Sequence, residues 1–230
     1  MSRTARNALL LMIGSSIVLA VSLGIRHAFG LFLQPMSAEF GWGREVFAFA
    51  IALQNLIWGV LQPFVGAFAD RYGVTRTVFI SAFAYMVGLL LMASADTPST
   101  LVFSASVLIG FGLSGTSYTV LLSAVGRSVA PEKRSMAMGI ASAAGSFGQF
   151  VMLPGTLGLQ EWLGWSAALL VCAGLIALLL PLAFMLKESP APSTELVEKM
   201  PLSKVLKQVV GHTDFWLLAT GFLSAVFRWC

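Results

Sequence analysis

The chain has little charge: only 10% of its 230 residues are Asp, Glu, Lys or Arg, whereas 57% are hydrophobic. A soluble domain carries about 25% charged residues, so this composition excludes an exterior that faces water on all sides. The apolar runs are continuous and do not alternate with a period of two, which is not the pattern of a membrane β-barrel. The sequence therefore predicts an all-α integral membrane protein in contact with a lipid bilayer.

Cysteine and histidine are also scarce. Cys172 lies in an apolar run and Cys230 is the last residue, so no disulfide framework is predicted. The sequence offers no metal-ligand cluster, no phosphate-cradling loop and no hydroxyl nucleophile with a base, so no metal or cofactor is predicted. A membrane-embedded enzyme is disfavoured, since His27 has no acidic residue within its own span.

Six apolar stretches predict transmembrane helices joined by short breaks, which makes neighbouring helices antiparallel. The predicted spans cover 8–35, 45–69, 77–95, 99–125, 135–159 and 165–186. Arg3 and Arg6 before an apolar run also resemble a signal peptide. The run continues to Leu33, however, which is too long for the apolar region of a signal, so an uncleaved first helix is expected.

The distribution of Lys and Arg predicts the orientation, because cytoplasmic loops carry the excess of positive charge. Arg44 alone lies in the three loops on one side. The residues assigned to the other side are Arg3, Arg6, Arg71, Arg76, Arg127, Lys133, Arg134, Lys187, Lys199, Lys204 and Lys207. The N-terminus is therefore predicted to be cytoplasmic, in the plasma (inner) membrane, and the formal net charge of +4 is attributed to topology rather than to nucleic-acid binding.

The composition divides the chain into three parts. Residues 1–187 are predicted to form a six-helix domain, and 188–214 a cytoplasmic linker whose segment PLSKVLKQVV has the apolar spacing of an amphipathic helix. Residues 215–230 contain a thirteen-residue apolar run, Phe215 to Phe227, that rises only about 20 Å and cannot span a bilayer. This part is interpreted as an incomplete seventh helix.

An internal repeat has an offset of 91 residues, and both copies read Pro, six residues, an acid, two residues and Gly. The matched residues are Pro63, Asp70 and Gly73 in the first copy and Pro154, Glu161 and Gly164 in the second. Because three spans per copy reverse the direction of the chain, the spans are predicted to form two inverted three-helix repeats. The alternative is a chance alignment of a few Gly and Pro residues.

The stretch GAFADRYGVTRT predicts a sharp charged turn where span 2 leaves the membrane. Gly66, one helical turn before Asp70, is expected to let a neighbouring helix approach closely. Asp70 is expected to accept N–H groups at the start of span 3, where the helix dipole favours a carboxylate. An ordinary positive-inside loop would explain Arg71 and Arg76, but not the Gly-x3-Asp-Arg-x-Gly spacing.

This spacing resembles the signature of the major facilitator superfamily, in which basic residues follow Gly-x3-Asp-Arg/Lys-x-Gly. Gly66, Asp70, Arg71 and Gly73 match it, and Arg76 fills one trailing basic position. The resemblance covers residues 1 to about 227 and implies the N-terminal half and the start of helix seven of a twelve-helix transporter. It also implies that these five residues form a gating latch that holds the outward-open state by contacting the missing C-terminal half.

A second resemblance, to bacterial relatives of monocarboxylate and oxalate/formate carriers, rests on the end of the first helix. The matching residues are Phe29, Gly30, Phe32, Pro35, Phe40, Gly41, Trp42 and Arg44. The stretches GFGLSGTSY and GSFGQ are also similar to these carriers. One departure is Ser106, where many proton-coupled members have an arginine, and this weakens any inference of proton coupling through that position.

Arg26 lies deep within the first predicted span and shares a helix face with Ser15, Ser22 and Gly30. This polar stripe predicts that Arg26 faces a cavity inside the bundle, where its planar fork suits a carboxylate ligand. The alternative is that Arg26 extends towards the outer surface. His27 points about 100° away along the helix and is predicted to be packed and hydrogen-bonded.

Gln54, Tyr118 and Gln149 are further candidates for substrate binding, with hydrogen bonding between helices as an equal alternative for each. In span 2, one face is predicted to pack against other helices; its members are Asn55, Gly59, Gln62 and Gly66. Close helix crossings are predicted at Gly110, Gly112, Gly115, Gly139, Gly145 and Gly148.

Together these features predict a secondary active transporter of a small organic anion, with a monocarboxylate as the candidate substrate, that works by rocker-switch alternating access. A coupling proton or an exchanged anion is the expected co-substrate, and this chain is interpreted as a truncated N-terminal half. The alternative is a non-transporting truncated product, or an interaction partner of another six-helix half.

Overall fold

The computed structural model describes residues 3–186, with side chains from Arg6 onwards, and three single residues, Gly211, Leu217 and Thr220. The first of two compact units, Met1–Ala191, holds all the described spans. Apart from those three positions, the predicted linker with its amphipathic helix and the incomplete seventh helix lie outside the described residues.

Within residues 3–186 the chain is almost entirely helical and contains no strand. The α-helices are α1 (Arg3–His27), α2 (Leu33–Phe40), α3 (Arg44–Tyr72), α4 (Val74–Ala93), α5 (Pro98–Val102), α6 (Ile109–Gly115), α7 (Tyr118–Ser128), α8 (Pro131–Leu163) and α9 (Trp165–Ala183). A 3₁₀ segment, Ala28–Phe32, joins α1 to α2, and a π-helical segment, Phe103–Leu108, joins α5 to α6.

These elements form six spans that are long and apolar enough to cross a membrane, which confirms the predicted number. Spans 1 to 6 are Arg6–Phe40, Arg44–Tyr72, Val74–Ala93, Pro98–Ser128, Pro131–Leu163 and Trp165–Ala183. Span 5 is longer than predicted at both ends, because its helix continues beyond the apolar stretch: it begins at Pro131, a favoured first helical residue, and ends just before Gly164.

The repeat is visible in the two junctions that carry the matched glycines. Gly73, between spans 2 and 3, has φ 90° and ψ 153°, and Gly164, between spans 5 and 6, has φ 83° and ψ 167°. Each glycine N–H donates to the carbonyl four residues earlier, Ala69 at 2.8 Å and Gln160 at 2.9 Å. Positive φ values of this kind favour glycine, so the same backbone turn is built twice, 91 residues apart.

Close helix crossings depend on glycine where two backbones nearly touch. A Cβ atom on Gly148 of span 5 would lie 2.2 Å from the carbonyl oxygen of Ala20 in span 1. A Cβ atom on Gly112 of span 4 would lie 2.6 Å from the Cβ atom of Tyr85 in span 3. The crossings predicted at Gly110, Gly112 and Gly148 are confirmed by contacts with the backbone of another span. Gly115 and Gly145 lie against the side chains of Ser81 and Tyr118, and a Cβ atom on Gly139 would meet nothing within 4 Å.

Burial differs strongly among the spans. In the most apolar stretch of span 4, 67% of the residues are buried, against 17% in span 2 and 22% in span 5. Spans 2 and 5 present large apolar side chains to the outside, including Phe49, Leu56, Phe147 and Phe150. Span 4 is therefore central in this unit, and spans 2 and 5 carry faces that lipid or another protein segment must cover.

Candidate substrate site and signature residues

Arg26 lies in the last turn of α1 and extends to span 2, where its Nη2 donates a hydrogen bond of 2.8 Å to Oδ1 of Asn55. The guanidinium carbon lies 6.0 Å from the centre of the Phe29 ring, which is itself fully buried. The Nε–H group is buried and has no hydrogen-bond acceptor among the described residues. The side chain is thus half-buried and held at one end by a single neutral amide.

The charge of Arg26 is not neutralised within the described part of the chain, since no described carboxylate lies at ion-pair distance from it. An arginine at the centre of a bilayer costs about 2.5–3.5 kcal/mol on insertion scales. Such residues face a bundle interior or a wet cavity and interact with partners there. An uncompensated guanidinium within a membrane-spanning segment therefore favours an anion beside it.

The helix that carries Arg26 is hydrogen-bonded to span 3. The hydroxyl of Tyr85, which is fully buried, donates a 3.1 Å hydrogen bond to the carbonyl of Ser22, one turn before Arg26. Ser15 and Ser22 are fully buried, as expected for a stripe that faces the bundle interior. His27 is exposed, so the prediction that it is packed is wrong: the helix phase that buries the serines turns His27 outward.

For Gln54 the structure describes the predicted alternative, hydrogen bonding between helices, and its contact with a substrate stays a prediction. Gln54 is fully buried and donates from Nε2 to the carbonyl of Ala105 in the π-helical segment of span 4, at 2.5 Å. Asn55 is exposed and binds Arg26. Gln54 thus ties two helices together in this conformation, and the proposed packing role of Asn55 is wrong, because consecutive residues of a helix point about 100° apart.

Tyr118 and Gln149 lie on the facing spans 4 and 5. Tyr118 is the first residue of α7, and its hydroxyl lies over Gly145, where an added Cβ atom would be 2.6 Å away. Gln149 is half-buried and follows Gly148, which contacts span 1. Neither side chain makes a described hydrogen bond to Arg26, so their contact with a substrate stays a prediction.

The first helix of each repeat departs from a regular α-helix, at positions that correspond to within a few residues. Span 1 leaves the α-helical form after His27, and span 4 breaks at Thr116 and Ser117, where Ser117 has extended backbone angles. At the 91-residue offset of the repeat, Ala28 corresponds to Thr119, two residues after Ser117. In transporters, helices interrupted at corresponding positions of two repeats mark the substrate site near the membrane midplane.

At the C-terminal end of span 2, Asp70 pairs with a residue that the sequence analysis did not select as a site residue. Its Oδ1 accepts a hydrogen bond of 3.1 Å from Nη1 of Arg127, in the last turn of α7. The expected acceptance of N–H groups at the start of span 3 is replaced by this ion pair between spans 2 and 4. Arg127 was counted only as a topological charge, although a basic residue at a helix end near an acidic turn was a usable signal.

The other residues of the signature lie in the turn at Gly73 and in the helices next to it. Gly73 supplies the positive-φ turn described above, and the guanidinium of Arg71 lies 5.4 Å from the ring centre of Tyr72. Arg76 is exposed. A Cβ atom on Gly66 would meet nothing within 4 Å, so Gly66 allows no close helix approach within the described unit, contrary to the prediction.

Comparison with known proteins identifies the family. The sequence model of the Major Facilitator Superfamily matches residues 10–229. The chain belongs to the major facilitator superfamily. Membership confirms the resemblance drawn from the Gly66–Arg76 signature and agrees with the six helices, so this superfamily member is a multi-pass membrane protein of a transporter family rather than of an enzyme family.

Several curated relatives in this superfamily are similar at low identity. Monocarboxylate transporter 14 of Homo sapiens is 27% identical over 164 residues, which is 71% of this chain and 32% of the relative. The oxalate:formate antiporter of Oxalobacter formigenes is 23% identical over 218 residues, 92% of this chain and 51% of the relative. The voltage-gated purine nucleotide uniporter SLC17A9 of Homo sapiens is 30% identical over 152 residues, 62% of this chain and 34% of the relative. The chain thus spans between about a third and a half of the length of these relatives.

Proposed function

We propose that this six-helix unit is the N-terminal half of a secondary active transporter that moves a small organic anion by rocker-switch alternating access. The observation that carries the proposal is the guanidinium of Arg26, which is half-buried in span 1, bound to a neutral amide and without a described carboxylate partner. A monocarboxylate is the candidate substrate class, supported by the names of two similar proteins.

The chemistry of the guanidinium fits a carboxylate better than a neutral solute. Its planar fork can donate two parallel hydrogen bonds to the two oxygens of one carboxylate, and these charge-assisted bonds are about twice as strong as neutral ones. Removal from bulk water strengthens the attraction further. Tyr118 and Gln149, in spans 4 and 5, are proposed as additional polar contacts.

The second half of the site is proposed to come from another six-helix unit that packs on the exposed apolar faces of spans 2 and 5. The latch residues, Gly66, Asp70, Arg71, Gly73 and Arg76, are proposed to contact that unit in the outward-open state, at the cytoplasmic side of the plasma (inner) membrane. Arg71 and Arg76 are exposed and suited to this contact. A proton or an exchanged anion is the proposed co-substrate.

The same exposed faces favour one second candidate function. A six-helix unit with two open apolar faces would also dock onto another half without transporting anything itself. Both candidate functions differ from a carrier that works without a second half. The test is uptake of radiolabelled oxalate, formate and L-lactate into vesicles that contain only this chain. We expect no uptake by the chain alone, and uptake by it would contradict the proposal that half of the site lies elsewhere.

The anion site itself is tested by binding. We expect oxalate or formate at low ionic strength to raise the midpoint of thermal unfolding of the detergent-purified chain, since a ligand that binds only the folded form stabilises it. Arg26→Gln should strongly reduce the shift. Arg44→Gln, which removes an exposed arginine at the start of span 2, should leave it intact. Equal shifts in the wild type and Arg26→Gln would refute the anion site.

A further inference from the structure

We infer that Asn55 is a specificity-determining residue that positions Arg26 and, by remaining neutral, keeps the charge of the guanidinium available to an anionic ligand. The inference rests on the proposed function of Arg26 as the anion contact. It concerns a residue that the sequence pattern assigned to helix packing and that the structure places on the open face of span 2.

The geometry indicates that Asn55 fixes the orientation of the Arg26 guanidinium. Arg26 has five N–H donors, and the hydrogen bond to Asn55 Oδ1 is the one that the structure describes for its side chain. The Phe29 ring lies beside the guanidinium carbon, and the buried Nε–H limits how far the group can rotate. Asn55 therefore holds the outer end of a side chain whose inner end is already packed.

The chemistry of an amide explains why Asn suits this position. Its oxygen accepts from Arg26 without neutralising the positive charge, and its NH2 group carries two donors. Because Asn55 is exposed, a carboxylate beside Arg26 can accept hydrogen bonds from both side chains. An aspartate would instead form an internal ion pair that competes with the ligand, and a leucine would offer neither an acceptor for Arg26 nor a donor for the ligand.

The test compares carboxylate affinities of the purified chain, measured from thermal unfolding midpoints at increasing oxalate and formate concentrations. Asn55→Asp is expected to weaken binding about tenfold or more, because a carboxylate at hydrogen-bond distance competes directly for the guanidinium. Asn55→Leu is expected to weaken it less. Gly59→Asp is the matched control, since it adds the same charge one turn away at an exposed position where a Cβ atom meets nothing within 4 Å.

A double-variant comparison separates this inference from the proposed function. In an Arg26→Gln background, Asn55→Asp should cause no further loss, because coupled residues are not additive. If Arg26→Gln leaves the affinity unchanged, the proposed function fails. If Arg26→Gln weakens binding but Asn55→Asp matches Gly59→Asp, only the role of Asn55 is overturned.

A second measurement needs no ligand. In the chain labelled with [15N]arginine, the Arg26 Nε–H signal is identified by its loss in Arg26→Gln. Asn55→Leu should shift or broaden this signal, because the guanidinium loses the acceptor that fixes it, while Gly59→Asp should shift it less. An unchanged Arg26 signal in Asn55→Leu would overturn the positioning role, even if no carboxylate binds measurably.

Discussion

At the residue scale, Arg26 shows what a single sequence can and cannot predict. Its half-buried position was predictable because a charge within a long apolar run requires a special environment. Its partner was not, because Gln54 and Asn55 are both amides and differ only in helix phase. The choice between them depends on how span 2 is rotated against spans 1 and 4, and that rotation is set by packing around Gly110 and Ala105.

The ion pair of the latch leads to a prediction of small magnitude. The side chains of Arg127 and Asp70 are 42% and 63% exposed, and exposed ion pairs stabilise a protein by about 0–1 kcal/mol. We expect Asp70→Asn to lower the free energy of unfolding by less than about 1 kcal/mol, with the difference vanishing in high salt. Asp96→Asn, at an exposed loop position, is the control. A loss several times larger would show that Asp70 has a structural role beyond this pair.

At the scale of elements, the helices could be predicted from the length of the apolar stretches, and the junctions after Tyr72 and Leu163 from the glycines that follow them. The interruptions of span 4 could not be predicted from the sequence. The π-helical segment Phe103–Leu108 lies in an apolar stretch that would also suit a regular α-helix, and the break at Ser117 follows three glycines that do not by themselves specify where the helix ends. They are stabilised by partners distant in sequence, such as the hydrogen bond of 2.8 Å from Ser106 Oγ to the carbonyl of Ala50.

Glycines of span 5 provide a prediction at this scale, because they look alike in sequence and differ in their surroundings. A Cβ atom on Gly148 would overlap the backbone of Ala20, whereas one on Gly155 would meet nothing within 4 Å. We expect Gly148→Ala to destabilise the chain by about 1–3 kcal/mol, the usual effect of overpacking. Gly155→Ala should be neutral or slightly stabilising, since alanine is the better helix former. Thermal unfolding in detergent measures both, and equal midpoints would contradict the close crossing of spans 1 and 5.

For the whole molecule, the number of spans could be predicted because the bilayer imposes a minimum apolar length. The repeat could be predicted because its two copies have matching residues at their junctions. The order of packing was not readable, since every span is apolar enough to be buried or to face lipid. In the structure span 4 is mostly buried, whereas most residues of spans 2 and 5 are not buried within the described unit. That arrangement supports the proposal that a second six-helix unit packs on the exposed faces of spans 2 and 5.

The orientation of the inverted repeats gives the last prediction. Tyr72 and Leu163 occupy equivalent positions, each directly before a positive-φ glycine, and their side chains are 45% and 55% exposed. Three intervening spans place them on opposite sides of the membrane, with Tyr72 on the cytoplasmic side if the loops rich in Lys and Arg face inward.

In a chain with Cys172 and Cys230 replaced by alanine, Leu163→Cys should react with a membrane-impermeant maleimide in intact cells, and Tyr72→Cys only after permeabilisation. The reverse pattern would invert the assigned orientation. Labelling of both from one side would contradict the inverted repeat itself, because the two junctions would then share a membrane face.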